Sequence, residues 1–255
     1  MAEPLLALSG LGKRFGGVQA VKDLSFDMAA GEIVGLIGPN GSGKSTSVNL
    51  ISGTLPPTEG EIRFAGAPVA RLSVSERVPL GLARTFQTTS VFAEFSVREQ
   101  VLTACHARYR TGATGSVFRL SAARREERAQ RDKVEELLDF VGLQAVAEEQ
   151  ASAISSAQQR LLMIATALAT EPRLLLLDEP AAGMVAKERQ ALAGLIQRIR
   201  DRGIAVLVIE HHMGLIMEVC ERIVVLNFGQ KIAEGTPAEI QRNPAVIDAY
   251  LGGAH

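Results

Sequence analysis

A glycine-rich segment with the types and spacing of a phosphate-binding loop runs through Gly38-Pro39-Asn40-Gly41-Ser42-Gly43-Lys44-Ser45-Thr46. It matches the pattern G-x-x-x-x-G-K-[ST], with Gly38, Gly43, Lys44 and Ser45 at the defining positions. In such a loop the main-chain N–H groups surround phosphate oxygens, the lysine reaches the β- and γ-phosphates, and the next hydroxyl can ligate Mg²⁺. A glycine-rich turn beside an unrelated lysine is the alternative, which the complete match disfavours. The loop therefore predicts binding of a nucleoside triphosphate.

The flanking segments supply the elements that this loop needs. Residues 32–37 read as a buried strand, and 44–51 read as a helix that ends near Gly53. A strand that enters a glycine turn and then a helix directs unpaired N–H groups and the positive helix end at one point. The sequence thus predicts an anion site suited to nucleotide phosphates.

Two carboxylates, Asp178 and Glu179, follow the apolar run 174–177. Four consecutive leucines indicate a strand buried on both faces of a parallel sheet, and ligands bind at the carboxyl ends of such strands. We expect Asp178 to hold Mg²⁺ through its water shell. We expect Glu179 to orient and deprotonate the water that attacks the γ-phosphate. A solvated turn is the alternative, and the phosphate loop favours the functional interpretation.

Three further residues allow two interpretations each. His211 follows the apolar strand 204–209 and is either structural or a donor to the γ-phosphate. Gln87 closes the predicted strand 82–87, and its amide oxygen could reach the metal or the metal's water. Phe15 is either a core or turn hydrophobe or a platform for an adenine ring, and the sequence favours neither.

The composition indicates an ordinary globular protein without a general attraction to nucleic acid. The 255 residues are 47% hydrophobic and 22% charged, with 27 Lys and Arg against 28 Asp and Glu and a net charge of -1. The N-terminus lacks signal-peptide features, and no apolar run approaches the roughly 18 residues of a membrane span. Cys105 and Cys220 have no metal or redox spacing, which predicts free thiols in a reducing compartment. We therefore expect a cytosolic protein that depends on another chain for any work at a membrane.

Strands and helices alternate along the chain, which predicts an α/β fold with a largely parallel sheet. Residues 90–160 read as a mostly helical insertion whose charged helix, from Ser121, mixes both signs. That mixture favours a solvated face over a nucleic-acid or partner patch. The predicted strands are 5–8, 24–28, 32–37, 61–64, 82–87, 173–178, 204–209, 222–226 and 230–233, with a turn-rich region over 10–17. The predicted helices are 44–51, 96–108, 121–141, 158–170, one marked by 192–199 and a short one after Thr236, with helical turns in 73–80.

The order of these segments resembles that of ABC ATPase domains over essentially the whole chain. The segments that look like the A-loop, Walker A, Q-loop, signature, Walker B and H-loop are Phe15, 38–46, Gln87, Ile154-Ser155-Ser156-Ala157-Gln158, 174–180 and His211. Stretches similar to the ATP-binding subunits of branched-chain amino acid importers are 13–17, 83–87, the 112–133 insertion, 178–184 and 224–252. The lipopolysaccharide-export and urea-import ATPases look much alike.

This resemblance implies a P-loop NTPase of the ABC ATPase type, one domain over 1–255 with a mostly parallel sheet and an antiparallel β subdomain. Residues 1–89 and 172–255 would form the nucleotide-binding core, and 90–171 a helical subdomain bearing the signature. Two such subunits, identical chains or paralogues, would close around two ATP molecules with Mg²⁺. The residues that would face the partner's nucleotide are Ser155, Ala157 and Gln158. Membrane permeases docked near Gln87 and the helical subdomain would hold the subunit at the inner face of the membrane during import.

The signature departs from the family pattern at Ala157, where glycine is usual. A methyl group restricts both positive φ and close approach of the backbone to phosphate, so we expect poor hydrolysis of the ATP held by the partner. The alternative is that a small backbone shift accommodates alanine. Further departures from commonly seen residues are Leu161, Met163, Thr166, Val185-Ala186 and His212.

Two other functions compete with a transport ATPase. Ala157 favours a nucleotide-gated dimerising subunit with little turnover, whereas the intact Glu179 and His211 oppose it. ABC ATPases that act on DNA or ribosomes are disfavoured because the net charge is -1 and the sequence contains neither a basic stripe nor a second ATPase domain.

Overall fold

The computed structural model of the chain describes residues 3–85, 92–106 and 120–251, with 106, 120–127 and 251 described by their backbone alone. The chain divides into two compact units, Met1–Arg84 with Arg173–His255 and Thr85–Pro172. Gln87 and part of the 112–133 insertion lie outside the described residues.

The described residues form the following strands and helices. The strands are β1 Leu6–Phe15, β2 Val18–Met28, β3 Ile33–Ile37, β4 Glu59–Phe64, β5 Ala67–Pro68, β6 Leu82–Arg84, β7 Leu174–Asp178, β8 Ala205–Ile209, β9 Arg222–Asn227 and β10 Gln230–Gly235. The helices are α1 Lys44–Ser52, α2 Val74–Arg77, α3 Val97–His106, α4 Leu120–Val141, α5 Ser156–Ala169, α6 Ala186–Asp201, α7 Met213–Val219, α8 Pro237–Arg242 and α9 Pro244–Leu251. Two 3₁₀ turns lie at Val78–Leu80 and Gln144–Val146.

The larger sheet of the first unit has the strand order β10-β9-β3-β8-β7-β6. Strands β9, β3, β8, β7 and β6 run parallel, and β10 pairs antiparallel with β9. Every residue of β3, β7 and β8 is buried, as their uninterrupted apolar runs predicted. The prediction of a largely parallel sheet is confirmed, and the three strands that precede the candidate functional residues lie side by side.

A smaller antiparallel sheet, in the order β2-β1-β4-β5, completes the strands of this unit. The prediction of a turn-rich region over 10–17 is wrong, because β1 continues to Phe15 and the chain turns only at Gly16 and Gly17. Gly10 has φ 58, and the pairing register with β2 shifts between Leu8 and Leu11. The early glycines therefore accommodate an irregularity within a long strand and do not end it.

The second unit is built from helices, as predicted. The apolar positions of α4 face inward, since Val134, Leu137, Leu138 and Val141 are all buried. Ser96 and Glu99 form a capping box ahead of α3, with each side chain accepting a hydrogen bond from the other residue's backbone N–H. Arg98 on α3 forms ion pairs with Glu135 on α4 and with Glu148.

Both α7 and α9 were absent from the sequence-based expectations. They are short, at seven and eight residues, and each follows another element closely. The predicted short helix after Thr236 is confirmed as α8, and the Thr236 hydroxyl caps it by accepting a hydrogen bond from Glu239 N. Cys105 and Cys220 are free and buried, and burial raises the pKa of the Cys220 thiol to about 12. Among the described residues, no helix is both long and apolar enough to cross a bilayer.

Candidate nucleotide-binding site

The candidate site lies at the carboxyl edge of three adjacent parallel strands. The glycine-rich loop follows β3, Asp178 ends β7, and Glu210 follows β8, which lies between the other two. Asp178 is the register partner of Ile209, so the residues after β7 and β8 emerge next to each other. The topology thereby brings together the phosphate loop, the Asp178-Glu179 pair and His211, which are far apart in sequence.

The loop after β3 has a backbone path that requires glycine at two positions. Gly38 has φ 152, and a Cβ there would lie 2.1 Å from Leu226 O. Gly43 has φ 101, and a Cβ there would lie 2.6 Å from Ala20 O. Because both contacts are with main-chain carbonyls, a side chain could not be accommodated by rotamer changes alone. The motif glycines therefore allow the loop to pack directly against the backbones of β9 and β2.

Lys44, the first residue of α1, bonds to its own loop. Its ammonium donates to Gly38 O at 2.7 Å and to Pro39 O at 2.9 Å. Burial lowers the pKa of Lys44 from its ordinary value, and the negative charge of Glu179 opposes that shift. A half-buried cation held by two carbonyls, with a carboxylate close by, is placed to exchange those carbonyls for phosphate oxygens.

The loop also has the properties of a site that binds a polyanion. The Ser42 hydroxyl is buried and, within the part of the chain that the structure describes, has no hydrogen-bond partner. Gly41 has φ 78 with open space where a Cβ would lie, and Ser45 is exposed at the start of α1. An unpaired polar group, open backbone and a positive helix end are the properties expected where phosphate binds.

Asp178 is buried and forms an ion pair with Arg84 at the end of β6. Arg84 Nη2 donates to Asp178 Oδ2 at 2.8 Å, and the side chains are only 8% and 2% exposed. Across the ranges 3–85, 92–106 and 120–251, no cluster of three or more His, Cys, Asp or Glu side chains could hold a metal ion. Mg²⁺ nevertheless fits here, since it commonly takes one or two protein oxygens and completes its shell with phosphate oxygens and water.

Glu179 adopts a strained backbone conformation. It has φ 49, in the left-handed region that non-glycine residues seldom occupy. Its N–H donates to Ile209 O at 2.9 Å, and its carbonyl accepts from Ala182 N at 3.2 Å. These bonds hold the turn in place, and such strain is often found where a side chain must be aimed at a reacting group.

Glu210 organises the two loops beside Glu179. Its buried carboxylate accepts from Ala181 N at 2.8 Å, from His211 N at 3.0 Å and from His212 N at 3.1 Å. The exposed imidazole of His211 has its Nδ1 3.7 Å from Glu210 Oε2. One buried carboxylate therefore connects the turn after β7 to the backbone of the histidine predicted to contact the γ-phosphate.

Replacement of Glu210 by glutamine should destabilise the protein by about 2 kcal/mol, because an amide nitrogen would face at least one backbone N–H. We expect a fall in melting temperature of about 4 to 8 °C. Thermal unfolding followed by circular dichroism measures it, with the exposed Glu218→Gln as the matched control. Unchanged melting of Glu210→Gln would show that these hydrogen bonds do not hold the two loops.

Phe15 lies at the end of β1 with 47% of its surface exposed, which excludes the interpretation as a core residue. The Lys13 ammonium is 5.3 Å from the centroid of its ring. The exposed ring is compatible with stacking on a base.

The signature residues belong to the second unit and form the start of α5. The Ser155 hydroxyl accepts from Gln158 N at 3.2 Å, and Gln158 Oε1 accepts from Ser155 N at 2.9 Å. Ala157 is a buried residue of the first helical turn and does not have positive φ. The expected backbone restriction at Ala157 is therefore absent, because helical dihedrals suit alanine. Only the steric consequence of its methyl group remains.

Arg84 and Glu210 contribute to the site without having been predicted. Arg84 and Glu210 are single charged residues at the ends of apolar strands, which is the one signal that the sequence offered.

Two family models match the chain. The ABC transporter model covers residues 21–182, and the model described as branched-chain amino acid ATP-binding cassette transporter covers 230–255. The first match contains the phosphate loop, the signature and both carboxylates. The second contains β10, α8 and α9.

Individual proteins agree with these matches. The chain is 42% identical, over 100% of both sequences, to the high-affinity branched-chain amino acid transport ATP-binding protein LivG of Salmonella typhimurium. A nucleotide-free ATP-binding cassette from an ABC transporter superposes with a TM-score of 0.85 at 28% identity, over 97% of this chain and 99% of that one. A dimeric ATP-binding cassette bound to ADP and Pi superposes with a TM-score of 0.77 at 25% identity, over 91% and 98%. The chain therefore belongs to the ABC transporter family, as an ABC ATPase of its branched-chain amino acid group.

Proposed function

We propose that this chain is the ATP-hydrolysing subunit of an importer of branched-chain amino acids. The observation that carries the proposal is the arrangement at the sheet edge, where Lys44 lies in the glycine-rich loop within electrostatic range of Glu179. Full-length similarity to LivG supports the choice of solute class.

In this proposal the loop 38–46 holds the ATP phosphates through its main-chain N–H groups and Lys44. Ser45 and Asp178 hold Mg²⁺ together with phosphate oxygens, and Gln87, outside the described residues, is proposed to reach the metal or its water. When bound, Mg²⁺ neutralises charge that develops on the transferred phosphoryl group. Phe15 stacks on the adenine ring.

The protein's own chemical contribution is to prepare the attacking water. Glu179 accepts a hydrogen bond from that water and takes its proton as the water oxygen bonds to the γ-phosphorus, while the bond from that phosphorus to the β–γ bridging oxygen breaks and ADP leaves. His211 donates from its ring to a γ-phosphate oxygen, and Glu210 fixes the backbone from which it projects. Lys44 stabilises the charge on the β- and γ-oxygens, so that most of the catalysis is positioning and electrostatics.

A second ABC ATPase subunit, either the same chain or a paralogue, completes each site. Residues 1–89 and 172–255 serve as the nucleotide-binding core, and 90–171 as the helical subdomain that presents the signature to the partner. Ser155 and the first N–H groups of α5 face the partner's γ-phosphate, with Ala157 and Gln158 beside them. Closure and reopening of this dimer drive permease subunits, which hold the chain at the inner face of the membrane.

Replacement of Ala157 by glycine should raise the ATPase rate of the assembled dimer on the order of 10-fold, since misplacement by less than 1 Å can cost that much. The methyl group lies at the helix start that approaches phosphate, and its removal permits a closer approach. Steady-state ATPase assays with the partner subunit present measure the gain, with Ala153→Gly as the control in the same unit. An unchanged rate would mean that the alanine signature is fully competent.

Uptake measurements test the proposed function. Deletion of the gene in its own host should abolish uptake of radiolabelled leucine, and the wild-type gene should restore it where Glu179→Gln does not. Unimpaired leucine uptake in the deletion strain, with loss of urea uptake or of lipopolysaccharide export, would assign the chain to one of those related systems.

Because Ala157 stands in the signature, we keep a second candidate function. In it the chain is a dimerising subunit that binds ATP but hydrolyses it slowly. A single-turnover assay with and without the partner separates the two. Conversion of bound ATP within seconds favours the transport ATPase, whereas stable ATP in a formed dimer favours the gating role.

A further inference from the structure

The hairpin turn between β9 and β10 carries an aromatic residue in a strained conformation. Asn227 pairs with Gln230, which leaves a two-residue loop. The loop residues, Phe228 and Gly229, have φ 45 and φ 78. Two positive φ values are typical of a type I′ turn, which favours Asn or Asp before the Gly. Phenylalanine is disfavoured there, because the left-handed conformation brings its Cβ too close to the following carbonyl oxygen.

Burial does not compensate for this strain. Phe228 is 86% exposed, so its ring gains almost none of the stabilisation that a buried aromatic side chain brings. A single exposed apolar side chain is ordinary on a protein surface, but one that is also held in a strained conformation suggests a function. The chain alone offers this ring neither burial nor a favourable backbone, which points to a contact with another molecule.

The turn is fastened to the phosphate loop. Gly229 N donates to Ser42 O at 2.9 Å, and Gly229 O accepts from Lys22 N at 2.8 Å. A Cβ at Gly229 would lie 2.8 Å from Ala20 O, so the turn packs directly against the backbone of β2. Phe228 is therefore held in a fixed place beside the loop that would bind the nucleotide phosphates.

We propose that Phe228 is a contact residue for a second copy of this chain, and that its ring becomes buried when two ATP-loaded copies close. The inference rests on the proposed function, in which the partner's signature approaches the γ-phosphate at the loop 38–46. A standard interface covers about 800 Å² on each partner, which is a patch with a radius of about 16 Å. Because Gly229 is hydrogen-bonded to the loop, the adjacent Phe228 falls inside such a patch centred on the loop. Aromatic side chains are also enriched in the cores of protein interfaces.

The substitution Phe228→Asn separates the strain from the contact. Asparagine suits the first position of a type I′ turn, so we expect the variant alone to melt about 2 to 4 °C above wild type. It should bind Mg·ATP with unchanged affinity, because Lys44 and the backbone of the loop are untouched. Its dimerisation should weaken about 100-fold, because a symmetric dimer contains the ring twice and each loss costs about 10-fold.

A turn of the same kind between β4 and β5 provides a matched control. Ala65 and Gly66 have φ 50 and φ 79, and Ala65 is exposed. This turn follows Phe64, which pairs with Leu6 at the start of β1, whereas Ala20 lies opposite the end of β1. Ala65→Asn therefore relieves the same strain far from the phosphate loop, and it should raise the melting temperature without changing dimerisation.

Sedimentation velocity of the full-length chain with Mg·ATP measures dimerisation. All variants carry Glu179→Gln, so that ATP is not consumed during the run. Phe228→Tyr, which keeps the ring, should dimerise like this background chain, and calorimetric titration of each variant at concentrations where it is monomeric gives its affinity for Mg·ATP.

The possible results bear on different claims. Unchanged dimerisation of Phe228→Asn overturns the inference and leaves the ring to another partner, such as a permease. Loss of Mg·ATP binding by the Phe228→Asn monomer also overturns it, because the ring would then belong to the nucleotide site. A background chain that binds Mg·ATP but stays monomeric excludes a second copy as the partner, and the ATPase proposal then stands with a paralogue. A background chain that does not bind Mg·ATP contradicts the proposed function itself.

Discussion

Replacement of Lys44 by alanine is expected to weaken ATP binding by about 100-fold. The ammonium now donates to Gly38 O and Pro39 O, and in the complex it would donate to phosphate oxygens in charge-assisted bonds. Two such bonds are worth about 3 kcal/mol or more, which corresponds to the stated loss. Isothermal titration calorimetry with Mg·ATP measures the change in Kd.

Two controls make this result specific. The exposed Lys187→Ala, at the start of α6, removes an ammonium of the same kind and should leave the Kd unchanged. The melting temperature of Lys44→Ala without nucleotide should remain close to that of wild type. The variant loses the hydrogen bonds of the ammonium, but it also no longer has to desolvate a half-buried cation. An unaltered Kd for Lys44→Ala would mean that the phosphates bind elsewhere.

Replacement of Glu179 by glutamine should leave ATP binding intact and lower the steady-state ATPase rate by about 10²- to 10⁴-fold, the usual contribution of a general base. The amide keeps the shape of the side chain and can still hydrogen-bond to water, but it cannot accept a proton. The strained φ of 49 should persist, because it is set by backbone hydrogen bonds that the substitution does not touch. Phosphate release and ATP affinity are measured on the same preparation.

The exposed Glu218→Gln serves as the control for this substitution also. A loss of both affinity and rate in Glu179→Gln would indicate that the carboxylate organises the loop, for instance through its effect on Lys44. Hydrolysis at the wild-type rate would exclude Glu179 as the base.

The sequence was sufficient for the features that depend on local pattern. The spacing of the glycines and Lys44 in 38–46 and the unbroken leucine run 174–177 are local patterns, and each predicts its element; the leucine run is fully buried, as expected. The carboxyl-edge rule for parallel sheets then places Asp178 beside the loop. Such reasoning needs no knowledge of long-range contacts.

Features that depend on contacts distant in sequence were not accessible in this way. Arg84 and Asp178 are 94 positions apart, and a single arginine at a strand end has no spacing that announces its partner. Glu210 likewise acquires its role only because β8 lies between β3 and β7. The glycines of β1 suggested a turn, but the strand continues through them because it pairs with β2 on one side and β4 on the other. Tertiary context therefore overrides local propensity here.

Ala157 does not restrict φ in the way that its replacement of a glycine suggested, and its effect on hydrolysis stays a prediction. Its backbone is helical, so φ imposes no penalty, and any effect on hydrolysis must come from the space that the methyl group occupies. An effect of the methyl group should therefore appear only in the assembled dimer, where the partner's nucleotide would lie against it.

The most direct test of the central claim is a crystal structure of the chain with Mg²⁺ and a non-hydrolysable ATP analogue. We expect Lys44 Nζ to leave Gly38 O and Pro39 O and to lie about 3 Å from β- and γ-phosphate oxygens, with Glu179 facing the γ-phosphorus. An analogue bound away from the loop 38–46, with Lys44 still on its two carbonyls, would contradict it.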